Sequence, residues 1–157
     1  MLCALLTGLG YSMRFYFPLI IIDEDFRTEN TSGSGIRELA AAIEAEGMDV
    51  VGYTSYGDLT SFAQQQSRAA GFILSIDDEE FGAGSVEDSQ SVLENLKGFV
   101  DKIRHRNPDI PIYLYGETRT SRHIPNAILR ELHGFIHMHE DTPEFVARHI
   151  IREAKSY

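Results

Sequence analysis

Apolar residues in this chain fall into short continuous runs separated by longer stretches of helical spacing. Phe15 to Ile22 (FYFPLIII) is a continuous run, which predicts a strand buried on both faces. The polar stretch Asp23 to Ser34, with Gly33 and Gly35 near its end, reads as a loop. Ile36, Leu39, Ala40 and Ile43 then recur at helical spacing, and Gly47 stands where a helix end favours a residue at positive φ. Asp49 to Tyr53 predicts a second strand, and Ser55 to Ala69 a helix capped by Ser55 or Asp58 with Leu59, Phe62 and Ala63 on one side. Gly71 to Ile76 predicts a third strand, followed by an acidic loop from Asp77 to Gly84. A long helix is expected from Val86 to His105, striped by Val92, Leu93, Leu96, Phe99, Val100 and Ile103 and stopped at Asn107-Pro108. Ile110 to Tyr115 predicts a fourth strand, His123 to Leu132 a short helix with Pro125 in its first turn, and Gly134 to Met138 a fifth strand. Thr142-Pro143-Glu144 opens a last helix that runs to about Ala154.

Five strand–helix units with short links predict a parallel sheet covered by helices on both faces. The expected fold is therefore α/β, a three-layer αβα flavodoxin-like domain, with a five-stranded parallel sheet in the order 2-1-3-4-5. No boundary divides residues 13–157, which read as one domain. Residues 1–12 (MLCALLTGLGYS) are apolar but lack a basic leader, so a signal peptide is not expected. They read as an N-terminal extension upstream of a native start at Met13, or else as an extra turn or helix packed on the domain.

Composition narrows the function. The 157 residues are 43% hydrophobic and 24% charged, as expected of a single globular domain. A net charge of -10 argues against nucleic-acid and anionic-membrane partners, which select clustered Lys and Arg. The lone cysteine, Cys3, excludes a disulfide framework and a cysteine-based zinc site within the chain, and fits a reducing, cytoplasmic setting. No apolar run reaches the length of a membrane span.

In this architecture ligands bind beyond the carboxyl ends of the strands. A response-regulator receiver has the same fold and needs four things there: an acidic cluster for magnesium, an acceptor Asp, a hydroxyl and a Lys. Asp23, Glu24 and Asp25 supply the cluster. Ile76, however, falls at the acceptor position, with Asp77 one residue late and so turned to the other face. Gly116 stands in place of the hydroxyl and Met138 in place of the Lys. The expected site is a vestigial receiver pocket that takes no phosphoryl group.

Other chemistries find less. Thr28, Thr31, Ser32, Gly33, Ser34 and Gly35 could cradle a flavin phosphate, but Asp23, Glu24, Asp25 and Glu29 would repel it, which favours a helix cap and turn. His137 and His139 are expected on one face of the fifth strand, with Glu140, Asp141 and His123 nearby; they read as surface or interface histidines, with no metal site expected. No Gly-x-Ser-x-Gly turn is present. Lys97, Lys102 and Lys155, the only lysines, lie on expected helices and suit no pyridoxal Schiff base. No catalytic residue and no cofactor site are expected.

Three blocks carry a wider resemblance. FPLIIIDEDFRTENTSGSGIRELAAAIEAEG, TSYGDLTSFAQQQSRAAGFILSIDDEEF and the closing Glu153-Ala154-Lys155-Ser156-Tyr157 resemble the N-terminal, or wing, domain of the inducible bacterial ornithine/lysine/arginine decarboxylases, closest to the arginine branch. The resemblance covers Met13 to Tyr157. It implies a receiver-like domain that helps pack dimers into larger rings, joined to a pyridoxal-phosphate domain in the same parent chain. It places the catalytic lysine in a Ser-x-His-Lys motif that this segment lacks, so the chain is expected to be an excised domain or a truncated gene product. Two classes stay open: a non-catalytic assembly domain of a homo-oligomeric decarboxylase, or a stand-alone pseudo-receiver that binds a signalling partner.

Overall fold

A computed structural model describes residues 17–27, 34–54, 69–76 and 86–156. Their elements are β1 (Leu19–Ile22), α1 (Ser34–Ala45), β2 (Val50–Tyr53), β3 (Gly71–Ser75), α2 (Val86–Arg106), β4 (Ile112–Gly116), α3 (Thr118–Ser121), α4 (Asn126–Leu129), β5 (Gly134–His137) and α5 (Pro143–Ser156). The strands form one parallel sheet in the order β2-β1-β3-β4-β5, as the pattern of runs predicts. The expected helix at Ser55–Ala69 falls mainly on residues 55–68, outside the described residues. So do residues 1–16 with Met13, the glycine- and hydroxyl-bearing turn of 28–33, and the acidic loop that includes Asp77.

Alternation along each strand sorts side chains into two cores. Leu19, Ile21, Ile73, Tyr113, Tyr115 and Ile136 pack with α1 and α5. Ile20, Ile22, Phe72, Leu74, Ile76, Ile112 and Leu114 pack on the opposite face, with α2 and Ile128 of α4. Ile20, Ile21, Ile73 and Leu74 are fully sealed, because β1 and β3 are flanked by strands and covered on both sides.

Prolines correct several expected boundaries. β1 begins at Leu19 rather than Phe15: Pro18 has no N–H for a ladder, and its carbonyl instead accepts from the Ala70 amide. β4 begins after Pro111 for the same reason, and extends to Gly116, whose carbonyl accepts from the Met138 amide. The helix expected over His123–Leu132 shortens to α4, and α3 forms ahead of that range. Pro125 has extended backbone (φ -62, ψ 148) and caps α4 from outside instead of lying in its first turn. Gly47 does take positive φ (96°), and Thr142-Pro143 opens α5 as expected.

Candidate functional site

Asp23 leaves β1 at the carboxyl edge of the sheet, where its amide donates to the Tyr53 carbonyl. Its carboxylate is occupied on both oxygens. Oδ1 accepts from the Asp25 amide at 2.8 Å, a turn that the side chain closes on its own backbone. Oδ2 accepts from the Ser75 hydroxyl at 2.5 Å. Glu24 is exposed and Asp25 half-buried. The Asp25 carbonyl accepts from Arg37 of α1 at 3.3 Å, and Arg27 reaches the Gly52 carbonyl at 3.4 Å. Phe26 lies directly over Gly52. This acidic cluster is tied down by its own neighbours.

The other vestigial-pocket positions are built into the fold. The Ile76 side chain is 5% exposed in the α2-side core, and its amide continues the ladder to the Tyr115 carbonyl. Gly116 is buried, and a Cβ there would press on the Ile76 carbonyl and the Phe135 ring, each at 3.3 Å. A receiver-type hydroxyl at this position would therefore meet occupied space. Met138 packs against the α1–α5 core. Asp77 lies outside the described residues, so its facing is not described.

The histidine expectation needs correction. β5 ends at His137, and His139 sits in the following turn with φ 70°, so strand alternation does not set its direction. His137 bonds through Nδ1 to the Thr118 hydroxyl (3.1 Å) and stacks, tilted, on Phe135 at 5.0 Å. Among the described residues no three His, Cys, Asp or Glu side chains gather as a metal site.

A different feature of this edge was not singled out from sequence. A cavity of about 240 Å³ opens between α1, the end of β5 and the start of α5. Glu38, Tyr115, Glu140 and Asp141 supply its polar wall, with His139 at the turn. Leu39, Ile136 and Val146 supply an apolar floor. Tyr115 is 5% exposed, and burial, then the charges of Asp23 and Glu38, pushes its hydroxyl up to about 12. The signal available in sequence was parity: Ser75 and Tyr115 are cross-strand partners, on the same face as Asp23.

A model of the N-terminal domain of Orn/Lys/Arg decarboxylases matches residues 31–157. The chain belongs to that family. Lysine decarboxylase LdcA of Pseudomonas aeruginosa is 26% identical over 144 residues, which cover 90% of this chain and 18% of LdcA. The solved structure of lysine decarboxylase A from the same organism superposes with a TM-score of 0.75 at 25% identity, over 91% of this chain and 19% of that one. This decarboxylase N-terminal domain thus spans about a fifth of the relatives it matches. It also shares its fold with a response-regulator receiver domain of Clostridium thermocellum (TM-score 0.60, 10% identity, 89% of this chain and 95% of that one).

Pyridoxal phosphate, general in the family, finds no fitting residues on the described part of this domain. Lys97 is exposed and paired with Asp101 at 2.9 Å, and Lys102 is exposed on the same helix. Neither faces a site that would shield a Schiff base from water. The Lys155 side chain is outside the described residues. No described helix is long and apolar enough to cross a membrane.

Proposed function

We propose that the chain serves as the non-catalytic N-terminal domain of a larger, cytoplasmic pyridoxal-phosphate-dependent decarboxylase of basic amino acids, where it helps pack subunits together. The observation that carries this reading is the family match over residues 31–157, beside an alignment to LdcA that covers 90% of this chain but only 18% of LdcA. The chemistry of the segment supports it. The acidic cluster of Asp23 is satisfied internally, and the described lysines stand on open helix surface. Phe145 of α5 is 65% exposed, an apolar group suited to contact with the rest of the parent chain or with another subunit. A stand-alone pseudo-receiver would have the same fold, but the receiver likeness is one of fold alone, so the family match favours the assembly domain.

Arginine is the proposed substrate of the parent, on the sequence blocks that resemble the arginine branch. The matched relatives carry the name lysine decarboxylase, so the test must offer both amino acids. The full-length parent and a version lacking this domain would be compared by carbon dioxide release and by sedimentation. Loss of the larger assemblies with chemistry retained is expected on deletion, together with faster turnover of arginine than of lysine. An unchanged mass distribution would remove the assembly role, and preference for lysine would remove the arginine assignment. Because the domain carries -10 with histidines neutral, assembly of the parent is expected to strengthen from about pH 8 to about pH 6 as histidines gain protons. Assembly that weakens over that range would reverse the electrostatic part of the reading.

A further inference from the structure

We propose that the cavity between α1 and the β5–α5 turn binds a small aliphatic diammonium compound. Three properties of the cavity point there. First, its polar wall has one sign. Glu38, Glu140 and Asp141 line it, and among the described residues no Lys or Arg does. Second, the tyrosine at its inner end is poised and unused. The Tyr115 ring is sealed in the α1–α5 core, yet its hydroxyl makes no hydrogen bond among the described residues. That hydroxyl sits 2.5 Å from where a Gly35 Cβ would stand, and Gly35, Glu38 and Tyr115 line the same space. The ring is buried but the hydroxyl opens on the cavity, so its donor and its acceptor capacity are both available to a ligand that enters. Third, the floor is apolar, formed by Leu39, Ile136 and Val146.

These properties select among ligands. An anion is repelled by the carboxylates. A bare divalent cation needs several oxygens converging on one point, and among the described residues no such group forms. An aliphatic diamine satisfies each wall in turn. One ammonium donates to the Tyr115 oxygen and pairs with Glu38. The methylenes lie on the apolar floor. The second ammonium reaches Glu140 and the free oxygen of Asp141, whose Oδ2 already accepts from the His137 amide at 2.7 Å. The volume of about 240 Å³ suits such a short chain and falls below that of the usual drug-sized pocket.

The test uses the 157-residue chain, ¹⁵N-labelled, at pH 8 and at about 0.15 M salt, which screens loose attraction to the acidic surface. The probes are 1,5-diaminopentane, n-pentylamine with its single ammonium, and pentanedioate. Saturable amide shifts at Gly35, Met138 and His139 are expected with the diamine, weaker ones with pentylamine and none with pentanedioate. Tyr115→Phe and Glu38→Gln should each weaken the diamine by roughly tenfold, since the first removes a hydrogen bond to a charged group and the second removes an opposite charge. Glu38 is exposed, so Glu38→Gln keeps the test valid even if Tyr115→Phe disturbs folding. Non-saturating shifts spread over the acidic surface would overturn the proposal. So would an affinity unchanged in a folded Glu38→Gln variant.

Discussion

The carboxyl edge of this sheet is built in two ways within a few residues. Beyond β1 and β3 the ends are closed: Asp23 is held by the Ser75 hydroxyl and the Asp25 amide, while Phe26 covers Gly52. Beyond β4 and β5 the edge stays open, and the Tyr115 hydroxyl faces a cavity without a hydrogen-bond partner among the described residues. In a receiver the first region does the chemistry. Here an acidic cluster of the right composition is consumed as structure, and the space available for a ligand lies at the second region. Residue type alone does not make a site; what matters is whether its hydrogen-bonding capacity is already spent.

The strongest way to break this comparison is steric. At the closed end an added Cβ on Gly52 would collide with the Phe26 ring, which is wedged against the core and has little freedom to move. Gly52→Ala should destabilise the domain by about 2 kcal/mol or more. At the open end a Cβ on Gly35 meets a single close atom, the Tyr115 hydroxyl oxygen, rather than a whole ring, and alanine is the better helix former. Gly35→Ala should therefore stay within about 1 kcal/mol of the parent sequence. Urea unfolding followed by circular dichroism measures both. Equal losses would mean that the two ends are packed alike.

A smaller effect comes from deleting one hydroxyl at each end. Ser75→Ala leaves a carboxylate short of a donor and should cost about 1–2 kcal/mol. Tyr115→Phe removes a hydroxyl that bonds to nothing described, and should change stability by less than about 0.5 kcal/mol. The same reasoning makes Tyr113→Phe neutral or stabilising, because the Tyr113 hydroxyl is buried and unpaired. A large loss in Tyr115→Phe, with Ser75→Ala unaffected, would invert the assignment of closed and open ends.

Strand order and core faces were legible in the sequence because they follow from periodicity. The runs around Ile20, Ile73 and Leu114 could only be central strands, and parity alone sends Leu19 and Ile21 to one core and Ile20 and Ile22 to the other. Boundaries were less legible where proline acted through a missing N–H, as at Pro18 and Pro111, or through the geometry it imposes upstream, as at Pro125. The cavity was not legible. It depends on Tyr115, Glu38 and Glu140, which lie far apart in the chain and meet only because β4, α1 and the β5–α5 turn share one corner of the fold. His139 shows the same limit: counting alternate residues placed it on a strand face, whereas its left-handed backbone belongs to the turn that shapes the cavity rim.

The finest test asks whether the two ends feel each other. Burial does most to push Tyr115 up to about 12, and the charge of Asp23 at the closed end adds to it, followed by that of Glu38. A tyrosine whose folded value lies above its ordinary value near 10 favours the folded state while it holds its proton. Its contribution is therefore complete below about pH 10 and is lost as the pH rises toward about 12. Ultraviolet titration of phenolate formation should show Tyr115 ionising later than exposed tyrosines, with that late step missing from Tyr115→Phe. Asp23→Asn removes only a secondary cause, so the late step should move down by a few tenths of a unit and no further. A shift as large as the whole displacement would mean that charge rather than burial governs the hydroxyl. No shift at all would mean that the carboxylate is screened from it by its bonds to Ser75 and Asp25, and that the closed and open ends are electrostatically separate.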